Sequence, residues 1–191
     1  MRRLSDFLYR ISTGWVSLVA LLIFIVFTAT VLPAQSRQAD EASKGAGTPD
    51  LSFTYYSAET LYKWAQAYGE AGRQAYVRAR FTFDVVWPLV YTTFLVTATS
   101  WLFARGFPPG SPWRLANLTA VVGMLFDFLE NFSTSLVIAR FPAETPVIAS
   151  LASVFTLLKW LFVIGSLLVL AVGAVGALLA RVKKRKPQPD V

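Results

Sequence analysis

Cysteine and histidine are both absent from the 191 residues. Without thiols there is no disulfide framework and no thiol nucleophile. Without imidazole there is no histidine base, and no Cys/His zinc site can be built. Carboxylates and carbonyls alone can still hold a hard cation, but the expectation is no metal and no cofactor. Also missing are a Gly-rich phosphate loop, a G-x-S-x-G nucleophile elbow and any internal repeat. Charge is sparse at 15%, whereas 55% of the residues are hydrophobic and mean hydropathy is positive. A soluble domain of this size could not hide so much apolar surface, since soluble chains run at about 45–50% apolar with glycine counted in. One membrane-embedded unit over residues 1–191 follows.

Four apolar runs are long enough to cross a bilayer, which takes about 20 residues as helix. They cover about 15–33, 83–103, 115–138 and 147–180. Arg2 and Arg3 before the first run could suggest a cleaved signal peptide. The run is longer than a signal core, however, and Leu32 stands where an A-x-A cleavage pattern needs a small residue, so an uncleaved helix is expected. Residues 34–82 form an outer loop. Its first part, 34–50, reads as a polar connector. Its second part, 57–80, reads as an amphipathic helix, with Leu61, Trp64, Ala65, Tyr68, Ala75 and Tyr76 near helical spacing, Ser57 as N-cap, and Gly69 and Gly72 marking a kink or a close approach. Short turns at 105–114 and 140–146 make the later runs antiparallel neighbours. The expected fold is all-α: a four-helix transmembrane bundle with an additional extracytoplasmic amphipathic helix between spans 1 and 2. The fourth run measures about 51 Å as helix, against a hydrocarbon core of about 30 Å. Its first turns should therefore project outward and pack on the 57–80 helix.

A net charge of +7 could suggest nucleic acid, but the placement of the charges points to a membrane. Ten of the 18 Lys/Arg lie in three segments that flank apolar runs: Arg2, Arg3 and Arg10; Arg105 and Arg114; Arg181, Lys183, Lys184, Arg185 and Lys186. Only Asp6 and Asp190 accompany them. The remaining loops balance Arg37, Lys44, Lys63, Arg73, Arg78, Arg80 and Arg140 against six acids. By the positive-inside rule both termini are cytoplasmic, and the basic tail 181–191 meets anionic headgroups. The expected location is the bacterial cytoplasmic (inner) membrane. Membrane lipids are the expected partners, with other membrane-protein subunits as a further class, and nucleic acid is excluded.

Asp84, Asp127, Glu130 and Lys159 are ionisable groups within or at the edge of these runs. Each costs at least about 2.5 kcal/mol near the bilayer centre, so such residues face a bundle interior and are functional candidates. Asp127, Glu130, Asn131 and Thr134 follow i, i+3, i+4, i+7 and share one helix face. Thr156 and Lys159 share a face of the fourth run, and Asp84, Trp87 and Tyr91 form a stripe on the second. Pro88 has no amide hydrogen, so the Asp84 carbonyl loses its usual helical partner. Counted at 1.5 Å per residue, Asp127 lies roughly 18 Å and Glu130 roughly 22 Å from the inner end of their run. The cluster therefore sits in the outer half, where Arg73, Arg78 and Arg80 could close it. Lys159 is expected to pair with Glu130 or Asp127, and an arginine with Asp84. Arg73, Tyr76, Asp84, Tyr91 and Asp127 are candidate binding residues. Glu130, Asn131, Thr156 and Lys159 complete that set.

Other signals are weak. Asn117-x-Thr119 and Asn131-x-Ser133 match a glycosylation sequon but lie within a span. Gly173-x-x-x-Ala177 suits close helix packing, although in an apolar helix it is as readily chance. The combination of Gly69-x-x-Gly72-Arg73-x-x-Tyr76, Phe83-Asp84, Pro88, Tyr91, Asp127-x-x-Glu130-Asn131 and Thr156-x-x-Lys159-Trp160 resembles uncharacterised four-span integral membrane proteins of bacteria. The resemblance covers residues 50–165. It implies a topology and no activity.

Three functions fit these residues. The first is a lipid- or small-amphiphile-binding or complex-assembly protein that docks its partner at the polar cluster. The second is a membrane-embedded enzyme acting on a lipid or isoprenoid, with Asp127 or Glu130 as base, Lys159 as electrostatic stabiliser and Asn131 orienting substrate. The third is a proton- or ion-coupled transporter, disfavoured by four spans without a repeat. The same cluster could also be purely structural, a set of buried ion pairs that locks helix register.

Overall fold

The computed structural model describes residues 1–185; these are helices and connecting turns, with no β-strand among them. Seven α-helices follow in order among the described residues: α1 Arg2–Ile11, α2 Gly14–Val26, α3 Leu32–Ser43, α4 Ala58–Arg80, α5 Phe83–Gly106, α6 Thr119–Arg140 and α7 Pro146–Arg185. Four stretches are long and apolar enough to cross a membrane, within Gly14–Ser43, Ala58–Gly106, Pro112–Arg140 and Pro146–Lys183. The chain thus has the form of an all-α multi-pass bundle. The basic tail from Lys186 onward lies outside the described residues.

Polarity is sorted by burial. The most apolar 18 residues of the first and last stretches have mean hydropathy 2.6 and are only 11% buried, whereas those of the middle two have 1.4 and are 44% and 50% buried. Hydrocarbon cannot satisfy hydrogen-bonding groups, so polar side chains belong on helices wrapped by other helices. The outward faces of α2 and α7 carry Leu22, Ile25, Val26, Leu161, Leu168 and Leu178, all exposed.

The first span departs from expectation. It does not end at Pro33 in a polar connector. The helix runs on through a π-turn at Phe27–Val31 into α3 and stops only at Ser43, where Lys44 (φ 52°) and Gly45 (φ 73°) turn left-handed. Pro33 lacks an amide hydrogen and crowds the carbonyl four residues back. The wider π-turn just before it relieves both problems and lets helix formers in 34–43 continue. The real connector is therefore 44–57. The third stretch, Pro112–Arg140, contains the expected run, but its α-helix starts late: α6 begins at Thr119, because Pro112–Leu118 forms a 3₁₀ turn started by Pro112.

The first two basic segments meet at one end of the bundle. Ser5 Oγ donates to Asn117 Oδ1 at 2.8 Å, Asn117 Nδ2 donates to Ser100 Oγ at 3.0 Å, and Arg114 stacks on Tyr9 at 4.0 Å. The last turns of α7 reach the same end. Gly173 faces Phe103, and the Cβ position at Gly106 is 3.0 Å from the Gly176 backbone and 3.2 Å from that of Ala177. The Gly173-x-x-x-Ala177 run thus does pack closely, against α5.

At the opposite end, α4 lies across the tips of α6 and α7. Ser57 caps it by accepting from the Thr60 amide at 3.2 Å, as its sequence position suggests. Leu61, Ala65 and Tyr68 are buried with Val137, Ile138, Ala149 and Ala152, so the first turns of α7 do pack on α4. At Gly69 the backbone leaves helical geometry (φ 67°), and Arg73 Nη1 reaches back across that kink to the Ala65 carbonyl at 3.2 Å. Gly72 is where α3 crosses α4. A Cβ there would collide with the carbonyl oxygen of Ala42, a backbone atom that cannot rotate aside. Gly72→Ala should therefore lower stability by about 1–3 kcal/mol, the usual cost of overpacking. A thermal melt in detergent checks this; an unchanged melt would mean that α3 and α4 are not held this close.

Candidate functional site

Beneath the junction of α3, α4 and α5, ionisable groups from five parts of the chain converge. On α6, Asp127, Glu130, Asn131 and Thr134 are all buried on one face, as their spacing requires. Lys159 on α7 meets this face, with Nζ 2.5 Å from Glu130 Oε2. Arg80, the last residue of α4, is 3.0 Å from Asp84 one turn later in the chain. Both ion pairs are of the expected kind. The acid that Lys159 selects is Glu130, and the arginine that serves Asp84 is Arg80.

Pro88 has the consequence that its missing amide implies. The Asp84 carbonyl, left without its helical donor, accepts from Asn131 Nδ2 at 3.2 Å. The same amide nitrogen also donates to Asp127 Oδ1 at 3.1 Å, and the Tyr91 hydroxyl donates to Asp127 Oδ2 at 3.0 Å. Asp127 is thus held by neutral donors. Among the described residues no Lys or Arg lies within ion-pair distance of it.

Asp50 is the member that sequence reasoning missed. It sits in a 3₁₀ turn, Pro49–Leu51, folded back from the connector into the network. Its carboxylate takes Arg80 Nη2 at 3.1 Å, while its backbone carbonyl accepts from both Lys159 Nζ and Trp160 Nε1, each at 3.1 Å. Burial alone would push the Asp50 carboxyl up. Arg80, with Lys159 behind it, more than offsets that and holds it below its ordinary value. The only sequence signal was Thr48-Pro49-Asp50, which reads as a turn; that the turn enters the bundle is a long-range fact.

Thr156 and Tyr76 serve the network indirectly. Tyr56, in the connector, places its hydroxyl 3.0 Å from Thr156 Oγ1 and donates its amide to Ser153 Oγ at 3.0 Å, which ties the connector to α7. Tyr76 is buried with its ring under the Arg80 guanidinium, 4.4 Å from the ring centroid. Arg73 is not brought to the cluster. Besides bridging the Gly69 kink it lies over the Phe141 ring at 5.2 Å.

A cavity of about 340 Å³ opens onto this network. Its polar end is formed by Asp50, Asp84, Asp127, Arg80 and Lys159, and its apolar walls by Phe24 and Leu32 on one side and Trp87, Val163 and Leu167 on the other. Glu130 does not line it. Four carboxyl groups, those of Asp50, Asp84, Asp127 and Glu130, meet two basic side chains, Arg80 and Lys159, around it. The arrangement suits an occupant with a polar head and a hydrocarbon body.

No protein-family model, curated protein or solved structure matches this chain, so the four-span resemblance of its motifs has no match behind it. Fold and site by themselves define a class: a helical, multi-pass membrane protein with a buried ion network at the foot of a cavity.

Proposed function

We propose that this protein binds a membrane amphiphile, with the polar head at the Asp50–Asp84–Asp127 end of the cavity and the hydrocarbon body between α2 and α7. One observation supports this above others: a single cavity joins a polar end of carboxyl groups, one arginine and one lysine to walls of Phe, Leu, Val and Trp. Asp127 is the group to hold the head, because it lines the cavity and has no Lys or Arg within ion-pair distance among the described residues. Glu130 is committed to Lys159. In this reading the protein resides in the bacterial inner membrane with its termini in the cytoplasm, α4 lies extracytoplasmically, and bilayer lipid supplies the occupant.

Native mass spectrometry after mild detergent extraction tests the reading. A discrete added mass of lipid size is expected on the wild-type chain and should weaken at least about tenfold in Asp127→Asn, the loss expected for one hydrogen bond to a charged group. The variant keeps the shape that Tyr91 and Asn131 bind, so it should fold. A bare wild-type mass, or one unaltered by the variant, would make the cavity end structural.

A second reading rests on the same unpaired carboxylate. Asp127 could act as a general base on the bound head, with Lys159 stabilising the charge that develops. A variant that retains the added mass but stops its chemical conversion would select this reading over simple binding.

A further inference from the structure

We infer that α1 is an interfacial helix: its free apolar face lies in the acyl boundary of one leaflet, and its arginines hold anionic headgroups there. At about 100° per residue, three faces divide Arg2–Ile11. Ser5, Leu8 and Tyr9 form the packed face. Ser5 bonds to Asn117, the Tyr9 hydroxyl donates to the Arg114 carbonyl at 2.9 Å, and Leu8 packs against the core shared by α5 and α6. Leu4, Phe7 and Ile11 form a second face, yet they are 48%, 49% and 43% exposed. Arg2, Arg3, Asp6 and Arg10 form the third, and all four are exposed. The contacts with the bundle are made by the first face alone, so they do not account for an apolar stripe on the second.

The position of α1 says what covers that stripe. Only Ser12 and Thr13 separate it from α2, whose first turns open the first membrane-spanning stretch. Two residues reach at most about 7 Å, so α1 is held at the bilayer surface. Trp15 at the start of α2 and Trp113 in the turn Pro112–Leu118 are 77% and 68% exposed. Tryptophan gathers at the headgroup level of a bilayer. Helix α1 is joined to the element that carries one of these two and bonded to the turn that carries the other. Along the chain its stripe runs on into the exposed apolar surface of Trp15, Val16 and Val19. A helix with an apolar face and a basic face, held at this level, lies in the plane of the interface. A second copy suits the stripe less well, because pairing through α1 would bring Arg2, Arg3 and Arg10 of both chains together. Anionic headgroups turn the same three charges into attraction.

The sequence has no cysteine, so a thiol placed on α1 is unique in the full chain. A fluorophore on Leu4→Cys or Asp6→Cys, with the protein in bilayers of brominated lipid, reports contact with the acyl chains. Both positions are exposed, so both labelled proteins should fold. Quenching should be strong at position 4 and several-fold weaker at position 6. At equal content, brominated phosphatidylglycerol should quench position 4 more than brominated phosphatidylcholine. Arg3→Gln and Arg10→Gln should each lower that preference by about fivefold, the worth of one basic residue near an anionic surface. Equal quenching at the two positions, or none at either, would overturn the interfacial placement. A label at position 4 shielded from lipid, in a chain that cross-links to a second copy through Leu4→Cys, would overturn it in favour of a dimer contact. An unchanged preference for phosphatidylglycerol in both arginine variants would overturn the headgroup assignment.

Discussion

Lys159→Met is expected to destabilise the folded protein by about 3–5 kcal/mol, the usual cost of removing one partner from a buried ion pair. Glu130 is fully buried, and Lys159 is its only cation within ion-pair distance among the described residues. Without it a carboxylate is stranded among helices and has no route to water. The Asp50 carbonyl would lose one of its two donors and keep Trp160. The double variant Lys159→Met/Glu130→Leu should recover most of the loss, because replacing both members of a buried pair with apolar residues is often neutral. Unfolding of wild type, single and double variants in the same detergent reads this directly. A single variant as stable as wild type would mean that the pair contributes nothing to the fold. A double variant as unstable as the single one would mean that Lys159 acts mainly through Asp50.

Arg80→Gln should cost a similar amount, again about 3–5 kcal/mol, and its cost should depend on pH. Arg80 is shared by Asp50 and Asp84 and rests on Tyr76, so its loss affects three elements at once. The sign follows from Asp50. Its folded-state value lies below the unfolded one, so its contribution is complete above about pH 4 and disappears as pH falls through the folded value. Wild type should therefore lose stability in that acid window. The variant lacks the cation responsible, so the gap between the two should narrow as the pH falls. A gap of constant size from pH 7 down to about pH 3 would show that Arg80 stabilises by packing on Tyr76 and not by charge.

Much of the site could be read from spacing within single helices. Asp127, Glu130, Asn131 and Thr134 share a face because the α-helical period requires it, and Pro88 leaves the Asp84 carbonyl without a donor because proline has no N–H. Which group would supply the missing hydrogen bond could not be read, because Asn131 lies 47 residues away in another helix. Arg73 was misjudged for a reason of length. It precedes Arg80 by seven residues, about 10.5 Å along the helix, and the kink at Gly69 offers it a nearer carbonyl. The extent of the first helix was misjudged because proline usually stops a helix; a π-turn that absorbs it leaves no periodic signature.

Hydropathy, charge placement and helical period depend on residues close together in the chain. They determined the all-helical form, four stretches able to cross a membrane, and the faces that polar groups must turn inward. The pairing of Lys159 with Glu130, the recruitment of Asp50 from a connector, and the pairing of Arg80 with that Asp50 were decided by tertiary structure alone. Each is a contact between segments far apart in sequence, and its energy depends on a distance of about 3 Å that no local pattern encodes.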